Sequence, residues 1–257
     1  MNKLLSSLKD PSRFAEHFSI KFLNKKINQL SEIEPFFLIK KGLEIGGPSK
    51  IFTKEGYIPI YPLVDTIDGV NFSTTTVWEN TISEGKTYDF GGIAPGYQLI
   101  QDGTDLSVIK PETYDLLLSS HSLEHIANPI KALKEWLRVL KKGGVLLVIL
   151  PDSRYTFDCK RPITKFEHLL QDFKDNTSEK DLTHLDEIIS LHDLSYDDGI
   201  KSLEDFKKRS SDNFTNRCLH HHVFDMNLLE QVFKYLNLKI ILKDVSPPFN
   251  LIIMGIK

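Results

Sequence analysis

Apolar residues along the chain fall into short runs, each stopping at a glycine, a proline or an acid. This is the pattern of buried strands that end in turns. The run Phe36-Phe37-Leu38-Ile39 climbs into Gly42-Leu43-Glu44-Ile45-Gly46-Gly47-Pro48-Ser49, which predicts a first strand ending near Glu44 in a glycine turn. Pro48 to Gly56 leaves room for no more than a turn or two of helix. The second strand is expected from Ile58 to about Asp65. Residues 70–96 are polar and mixed, with Trp78 and Phe90 assigned to the core. A third strand, Tyr97–Gln101, leads into Asp102-Gly103-Thr104-Asp105, and a fourth covers Tyr114–Ser119. Val145–Leu150 is continuously apolar, as a central parallel strand must be.

Helical spacing appears in three places. Phe14, Phe18, Phe22 or Leu23, Ile27 and Leu30 recur every three or four residues, predicting a helical flank over 1–40 packed on the main sheet. Asn128 and Pro129 form a capped start for a helix whose face is Ile130, Leu133, Leu137 and Leu140. Lys141-Lys142 are placed in its last turn, with Gly143 as the residue that ends it. Asp225 caps a third helix bearing Leu228, Leu229, Val232, Phe233 and Leu236. Between these core elements lies an insertion at about 153–221, too long for a bare loop. Two strands close the chain, Lys239–Lys243 and Asn250–Ile256, separated as in a hairpin, so the last is expected to be antiparallel. The pattern is α/β, with one main domain over 41–257.

Composition narrows the class. A chain of 257 residues with a net charge of −3 fits one large domain that needs no covalent staples and offers no electrostatic case for nucleic acid. Cys159 and Cys218 stand far apart, in no metal-type spacing, as ordinary thiols of a reducing compartment. The start of the chain does not read as a signal peptide, and no apolar run reaches bilayer length; the expected location is the cytoplasm.

The candidate chemistry follows from the strand ends. Ligands of open α/β sheets bind beyond the carboxyl ends of the strands. Glu44, Asp65 (or Asp68) and Asp102 (or Asp105) would line that edge. An acid after the second strand suits a ribose hydroxyl pair, and one after the third an exocyclic amine. The glycine turn is no pyrophosphate cradle: Pro48 stands where N–H donors are wanted, and Glu44 would repel phosphate. His121, at a strand end, faces the cleft. In His220-His221-His222, alternation lets either 220 with 222 or 221 alone do so. A general base is favoured over a metal site, since no helical His-x-x-His or His-x-x-x-His pair exists, and no metal ligands are assigned. Arg154, Arg161 and Arg217 are candidates for an anionic group, or else ordinary ion pairs.

The residues also resemble a known family. Leu43-Glu44-Ile45-Gly46-Gly47 is similar to the first motif of class I S-adenosylmethionine-dependent methyltransferases. Tyr114–His125 resembles their fourth-strand motif with its Leu-Glu-His ending, and Lys141-Lys142-Gly143-Gly144 their turn before the fifth strand. The resemblance spans about 40–152 and, more faintly, 222–257. Within that fold, Pro151-Asp152-Ser153-Arg154 through Arg161-Pro162-Ile163-Thr164 resembles a group found among bacterial surface-polysaccharide genes. The resemblance implies a Rossmann-like sheet of seven mostly parallel strands with helices on both faces. It implies S-adenosyl-L-methionine as cofactor, with Gly46 and Gly47 along its methionine part, Glu44 near its amine, Asp65 on the ribose, Asp102 with Gly103 and Thr104 at the adenine, and Ser120 and His121 beside the sulfonium. Catalysis is assigned to His121, His221 or His222, and the acceptor to Arg154, Tyr155, Asp158, Arg161 and His220. The expected reaction is O-methylation of a sugar, glycan or related small molecule. The alternatives are a non-catalytic binding protein of the same fold, favoured by the absent third glycine of the first motif, and a metal-dependent enzyme using the histidines.

Overall fold

The computed structural model describes residue 15 and residues 17–20, 23–78, 81–197 and 199–257. Its centre is one mixed sheet of eight strands in the order β3-β4-β2-β1-β5-β6-β8-β7. The strands are β1 Lys41–Ile45, β2 Thr66–Asn71, β3 Gly85–Tyr88, β4 Gly96–Ile100, β5 Tyr114–Ser120, β6 Leu140–Pro151, β7 Lys239–Ser246 and β8 Asn250–Ile256. β4, β2, β1, β5 and β6 run parallel, β3 is an antiparallel edge, and β8 is antiparallel to both β6 and β7. The extra strand beyond the expected seven is β3, two short bridges from a region whose sequence carries no strand period.

Alternation along β5, β6 and β8 divides the core in two. Leu117, Leu146, Val148, Leu150, Leu251 and Ile253 face one side with Trp136 and Leu229. Leu116, Leu118, Leu147, Ile149, Ile252 and Met254 face the other, against Phe37, Phe52 and Ile58. The first face is covered by helices: α2 Pro129–Val139, α3 Phe166–Asp175 and α7 Met226–Tyr235. The second, among the described residues, is covered by the segment 27–61, which holds only the four-residue α1 Leu30–Ile33 and two single 3-10 turns. Among the described residues, long helices therefore cover only the first face.

Three further expectations change. Phe36–Ile39 is a 3-10 turn and its exit, not strand: Phe37 is buried while Ile39 is exposed, and Pro35 starts the turn. The second strand begins where it was expected to end, because Ile58 and Ile60 cover the sheet face rather than enter the ladder. Lys141 to Gly144 belong to β6, since α2 stops at Val139 and Leu140 is already extended; the Lys141 ammonium pairs with Asp115 at 2.8 Å. Phe14 and Phe22 lie outside the described residues; Phe18 and Leu23 are exposed, and Ile27 is buried. The insertion folds as α3, α4 Leu185–Leu191, α5 Leu203–Ser211 and α6 Asn213–Asn216. No described helix is long and apolar enough to cross a membrane.

The insertion is tied to the core at the start of α2. Asn128 caps this helix by accepting from the Lys131 N–H at 3.0 Å, and its own amide donates to the Asp172 carbonyl at 2.8 Å. Replacing a cap costs about 1 kcal/mol, and a buried carbonyl left without a donor about 1–3 kcal/mol more. Asn128→Ala is expected to lower stability by about 2–4 kcal/mol in urea unfolding; a loss below about 1 kcal/mol would show that this anchor is unimportant.

Candidate active site

The glycine turn after β1 is built over a buried acid. Glu44 is fully buried, and its carboxylate accepts from the Tyr61 hydroxyl at 2.6 Å, the Tyr88 hydroxyl at 2.7 Å and the Ser49 N–H at 3.1 Å. Burial pushes the Glu44 carboxyl up from its ordinary pKa, while the three donors pull it back. Both phenols are pushed up, by burial first and then by the Glu44 charge. Gly47 lies on this cluster: a Cβ there would sit 2.2 Å from both the Glu44 carboxyl carbon and the Tyr88 oxygen. Gly46 has a φ of +79°, and a Cβ would come within 2.1 Å of the Ser122 hydroxyl, which itself donates to the Ile45 carbonyl at 3.1 Å. The turn is thus gripped from β3 on one side and from the end of β5 on the other.

Above the turn opens a cavity of about 300 Å³. Gly46 and Gly47 form its floor, Asn71 stands at the end of β2, and Asp102 and Gly103 follow β4. Asn71 donates to the Gly47 carbonyl at 3.2 Å. Asp102 folds one oxygen onto the Thr104 N–H and hydroxyl, both at 2.8 Å, and offers the other to Arg217 at 3.1 Å. Arg217 also pairs with Glu179 at 3.3 Å and lies over the Phe72 ring, 5.4 Å from its centre. The Gly103 carbonyl is fixed by the Trp136 indole at 2.9 Å.

A second cavity, about 650 Å³, adjoins the first and shares Trp78, Ser120, His121 and His125 with it. Tyr155, Phe157, His220 and Asn250 form other parts of its wall. His121 faces the Asn250 side-chain oxygen through Nε2 at 2.9 Å and Glu124 through Nδ1 at 3.6 Å. His220 turns Nδ1 to Asp158, 2.5 Å away, and lies against the Phe157 ring. Burial draws His220 down, but the Asp158 charge and hydrogen bond outweigh it, so its pKa is raised. Asp158 is held in turn by Arg161 at 2.9 Å, and despite burial its carboxyl is lowered to about 2 by His220 and Arg161.

The expected site residues separate into two sets. Gly46, Gly47, Asp102, Gly103, Ser120 and His121 line the first cavity, and Tyr155 and His220 the second. The others do not. Asp65 is exposed at the opposite edge of the sheet, because Thr66 pairs with Lys41, the first residue of β1. Asp68 points inside the sheet, accepting from Tyr114 and the Tyr97 N–H at 2.8 Å each. Glu44 lies beneath the turn rather than in the cavity, and the Thr104 hydroxyl is spent on Asp102. His221 is buried against Asn213 at 2.9 Å, and burial lowers its pKa to about 4. His222 is buried beside the Ala127 carbonyl at 3.1 Å. Neither lines a cavity, so neither is placed to act as a base. Arg154 is turned onto Asp152 at 2.7 Å, and Arg161 is fully engaged by Asp158, Glu187 and the His220 carbonyl.

Asn71 and Trp78 were missed. Asn71 was hidden by the misplaced second strand. Trp78 was taken for core, yet it is 59% exposed and stands edge-on to His125. An isolated tryptophan in a polar stretch was the available signal.

The donor set fits a nucleoside with an uncharged or cationic tail. The floor is glycine backbone, an amide and an acid stand at the ends of β2 and β4, and the one guanidinium in the wall is neutralised by two carboxylates. Comparison with known proteins agrees. Residues 65–148 match the methyltransferase domain family. The chain superposes on a putative S-adenosylmethionine-dependent methyltransferase from Listeria monocytogenes with a TM-score of 0.50 and 15% identity, covering 95% of this chain and 99% of that one. It superposes on an S-adenosylmethionine-dependent methyltransferase from Mesorhizobium loti with a TM-score of 0.50 and 10% identity, covering 89% and 95%. At these identities the likeness is one of fold. A 56-residue stretch is 34% identical to part of the highly reducing polyketide synthase dmxL2 of Cryptosporiopsis; it is 22% of this chain and only 2% of that protein's length. The fold and the matched stretch are similar to those of a methyltransferase domain, a likeness that implies S-adenosyl-L-methionine as the cofactor.

Glu44→Ala removes the acceptor that two buried phenols share. It is expected to cost at least about 2 kcal/mol in denaturant unfolding. Tyr88→Phe, which removes one donor and keeps the ring, is expected to cost less than half as much. Equal losses in both variants would mean that the Tyr88 hydrogen bond alone carries the carboxylate's effect and that Tyr61 and Ser49 add nothing.

Proposed function

We propose that the chain is an S-adenosyl-L-methionine-dependent methyltransferase that methylates a hydroxyl oxygen of a sugar, glycan or related small molecule. The observation that carries this reading is the Asp158–His220 pair in the wall of a cavity adjoining the glycine turn. Gly46 and Gly47 carry the methionine part of the cofactor, Asn71 replaces the usual acid at the ribose, and Asp102 with the Gly103 backbone meets the adenine. When bound, the cofactor supplies an electrophilic methyl group on sulfur. Ser120 and His121 stand where the two cavities meet and border the transfer.

The second cavity would hold the acceptor hydroxyl, beside the cavity that would hold the methyl donor. His220 keeps Nδ1 on Asp158, so its Nε2 would be the atom that accepts the proton of an acceptor hydroxyl. Asp158 holds the ring orientation and stabilises the imidazolium. It touches neither substrate nor cofactor in this scheme and is a positioning residue. Tyr57, Tyr155, Phe157 and Phe249 give the cavity aromatic faces that suit a sugar ring. Arg154 and Arg161, engaged elsewhere, leave no reason to require an anionic acceptor. The resemblance of the run from Pro151 to Thr164 to the surface-polysaccharide group supports a glycan acceptor.

Isothermal calorimetry with S-adenosylhomocysteine is the first test: no heat at millimolar ligand would sink the reading. Asn71→Ala is expected to weaken that binding about 2- to 10-fold, the worth of one neutral hydrogen bond, and Asp65→Ala to leave it within twofold. The reverse order would return the ribose site to Asp65. Methyl transfer to a panel of sugars and glycans, read by mass spectrometry, then locates the acceptor atom; methylation on nitrogen overturns the O-methylation proposal. His220→Gln is expected to lower turnover about 10²- to 10⁴-fold with cofactor affinity unchanged. A loss under threefold would remove His220 as the base.

A further inference from the structure

We propose that His168, Asp172, His184 and His222 form a structural zinc site that fastens the insertion to the core. His168 and Asp172 stand four residues apart on α3 and so share one face of it. His184 is the residue that precedes α4. His222 lies on the extended segment that leads into α7. None of the four lines either cavity, so the cluster is separate from the donor and acceptor pockets.

The spacing is that of a coordination shell. The His168 Nε2 is 2.9 Å from the His184 Nε2 and 3.3 Å from an Asp172 oxygen, and the same oxygen is 3.5 Å from the His222 Nε2. A tetrahedron with metal–ligand bonds of about 2.0–2.1 Å has edges of about 3.3 Å. The three imidazoles bring one nitrogen each within 4.8 Å of the others. The polar bookkeeping is incomplete without a cation: Asp172 Oδ2 is buried with no hydrogen-bond partner. A buried carboxylate oxygen facing two imidazoles and receiving no hydrogen bond is costly. One divalent ion would engage that oxygen and a nitrogen from each ring.

The donor set selects the metal. Three imidazole nitrogens and one carboxylate oxygen at tetrahedral spacing suit Zn²⁺ better than the all-oxygen, higher-coordinate Mg²⁺ or Ca²⁺. Four protein ligands leave no open position, so the ion is structural and not a Lewis acid for a substrate. His222 also faces the Ala127 carbonyl at 3.1 Å, and ligation requires that contact to yield. The ion would join α3, the start of α4 and the segment that carries Arg217 to the first cavity and His220 to the second. The sequence hid the set because its helical pair is His-x-x-x-Asp and its remaining ligands are distant in the chain.

The test uses the untagged full chain, stripped with a chelator and titrated with Zn²⁺. One equivalent is expected to bind and to survive gel filtration. Co²⁺ is expected to give the intense visible absorption of a tetrahedral site. At Zn²⁺ one hundred times above its Kd, the Tm is expected to rise by about 5–10 °C. His184→Ala and Asp172→Asn are each expected to abolish stoichiometric binding and the Tm shift while still melting cooperatively in chelator and binding S-adenosylhomocysteine. That second ligand separates loss of the metal site from loss of the fold or of the cofactor site. Less than a tenth of an equivalent after loading overturns the proposal. So does binding that survives His168→Ala/His184→Ala, or binding that is lost instead in Glu124→Gln, which would move the ion to the other histidine group, Glu124 with His125 and His220.

Discussion

A buried carboxylate under the glycine turn is the constraint on which the first cavity depends. Glu44 leaves water entirely and recovers hydration from two phenols and one backbone N–H. That arrangement dictates residues on three strands. Tyr88 reaches Glu44 only because Gly69, in the middle of β2, carries no side chain; a Cβ there would lie 2.0 Å from the Tyr88 ring. Gly47 in turn must be small because carboxylate and phenol occupy the space behind it. The short edge strand β3, which ends at Tyr88, therefore serves the turn as well as the sheet. The acid expected to meet a ligand instead shapes the surface that the ligand would meet.

The same logic governs the segment from Arg217 to Asp225. Three adjacent imidazoles occupy three unlike places: His220 against Asp158, His221 against Asn213, His222 beside Ala127 and Asp172. Arg161 anchors the segment from beneath, donating to the carbonyls of both His220 and His221. The guanidinium expected to bind an anion thus holds the backbone that presents the proposed base.

Much of the fold was legible in the sequence, for a physical reason. β5, β6 and β8 are buried on both faces, and only long apolar runs tolerate that. The capped starts of α2 and α7 were legible because Asn128 and Asp225 each accept an N–H three residues on. β2 was not. Its sequence, Thr66-Ile67-Asp68-Gly69-Val70-Asn71, holds an acid and a glycine whose purposes are tertiary: Asp68 takes the Tyr114 hydroxyl, and Gly69 makes room for Tyr88. The more apolar Ile58–Val64 looked like the strand and is instead the cover of a sheet face that lacks a long helix among the described residues. That single displacement drew attention to Asp65, at the edge away from the first cavity, and hid Asn71, which lines it.

The insertion is better regarded as part of both cavities than as a lid over one. Near its end Arg217, in the wall of the first cavity, pairs with Asp102 and with Glu179, and His220 follows in the wall of the second. On the proposed reading, the adenine end of the cofactor and the proton acceptor for the substrate are then held by residues three apart on one short segment, which leaves α6 at a left-handed Arg217. A shift of so short a segment would move both positions together. Ordering the segment is thereby a common requirement for both binding steps. A clamp at His222, two residues beyond His220 and outside either cavity, would meet that requirement without intruding on the chemistry.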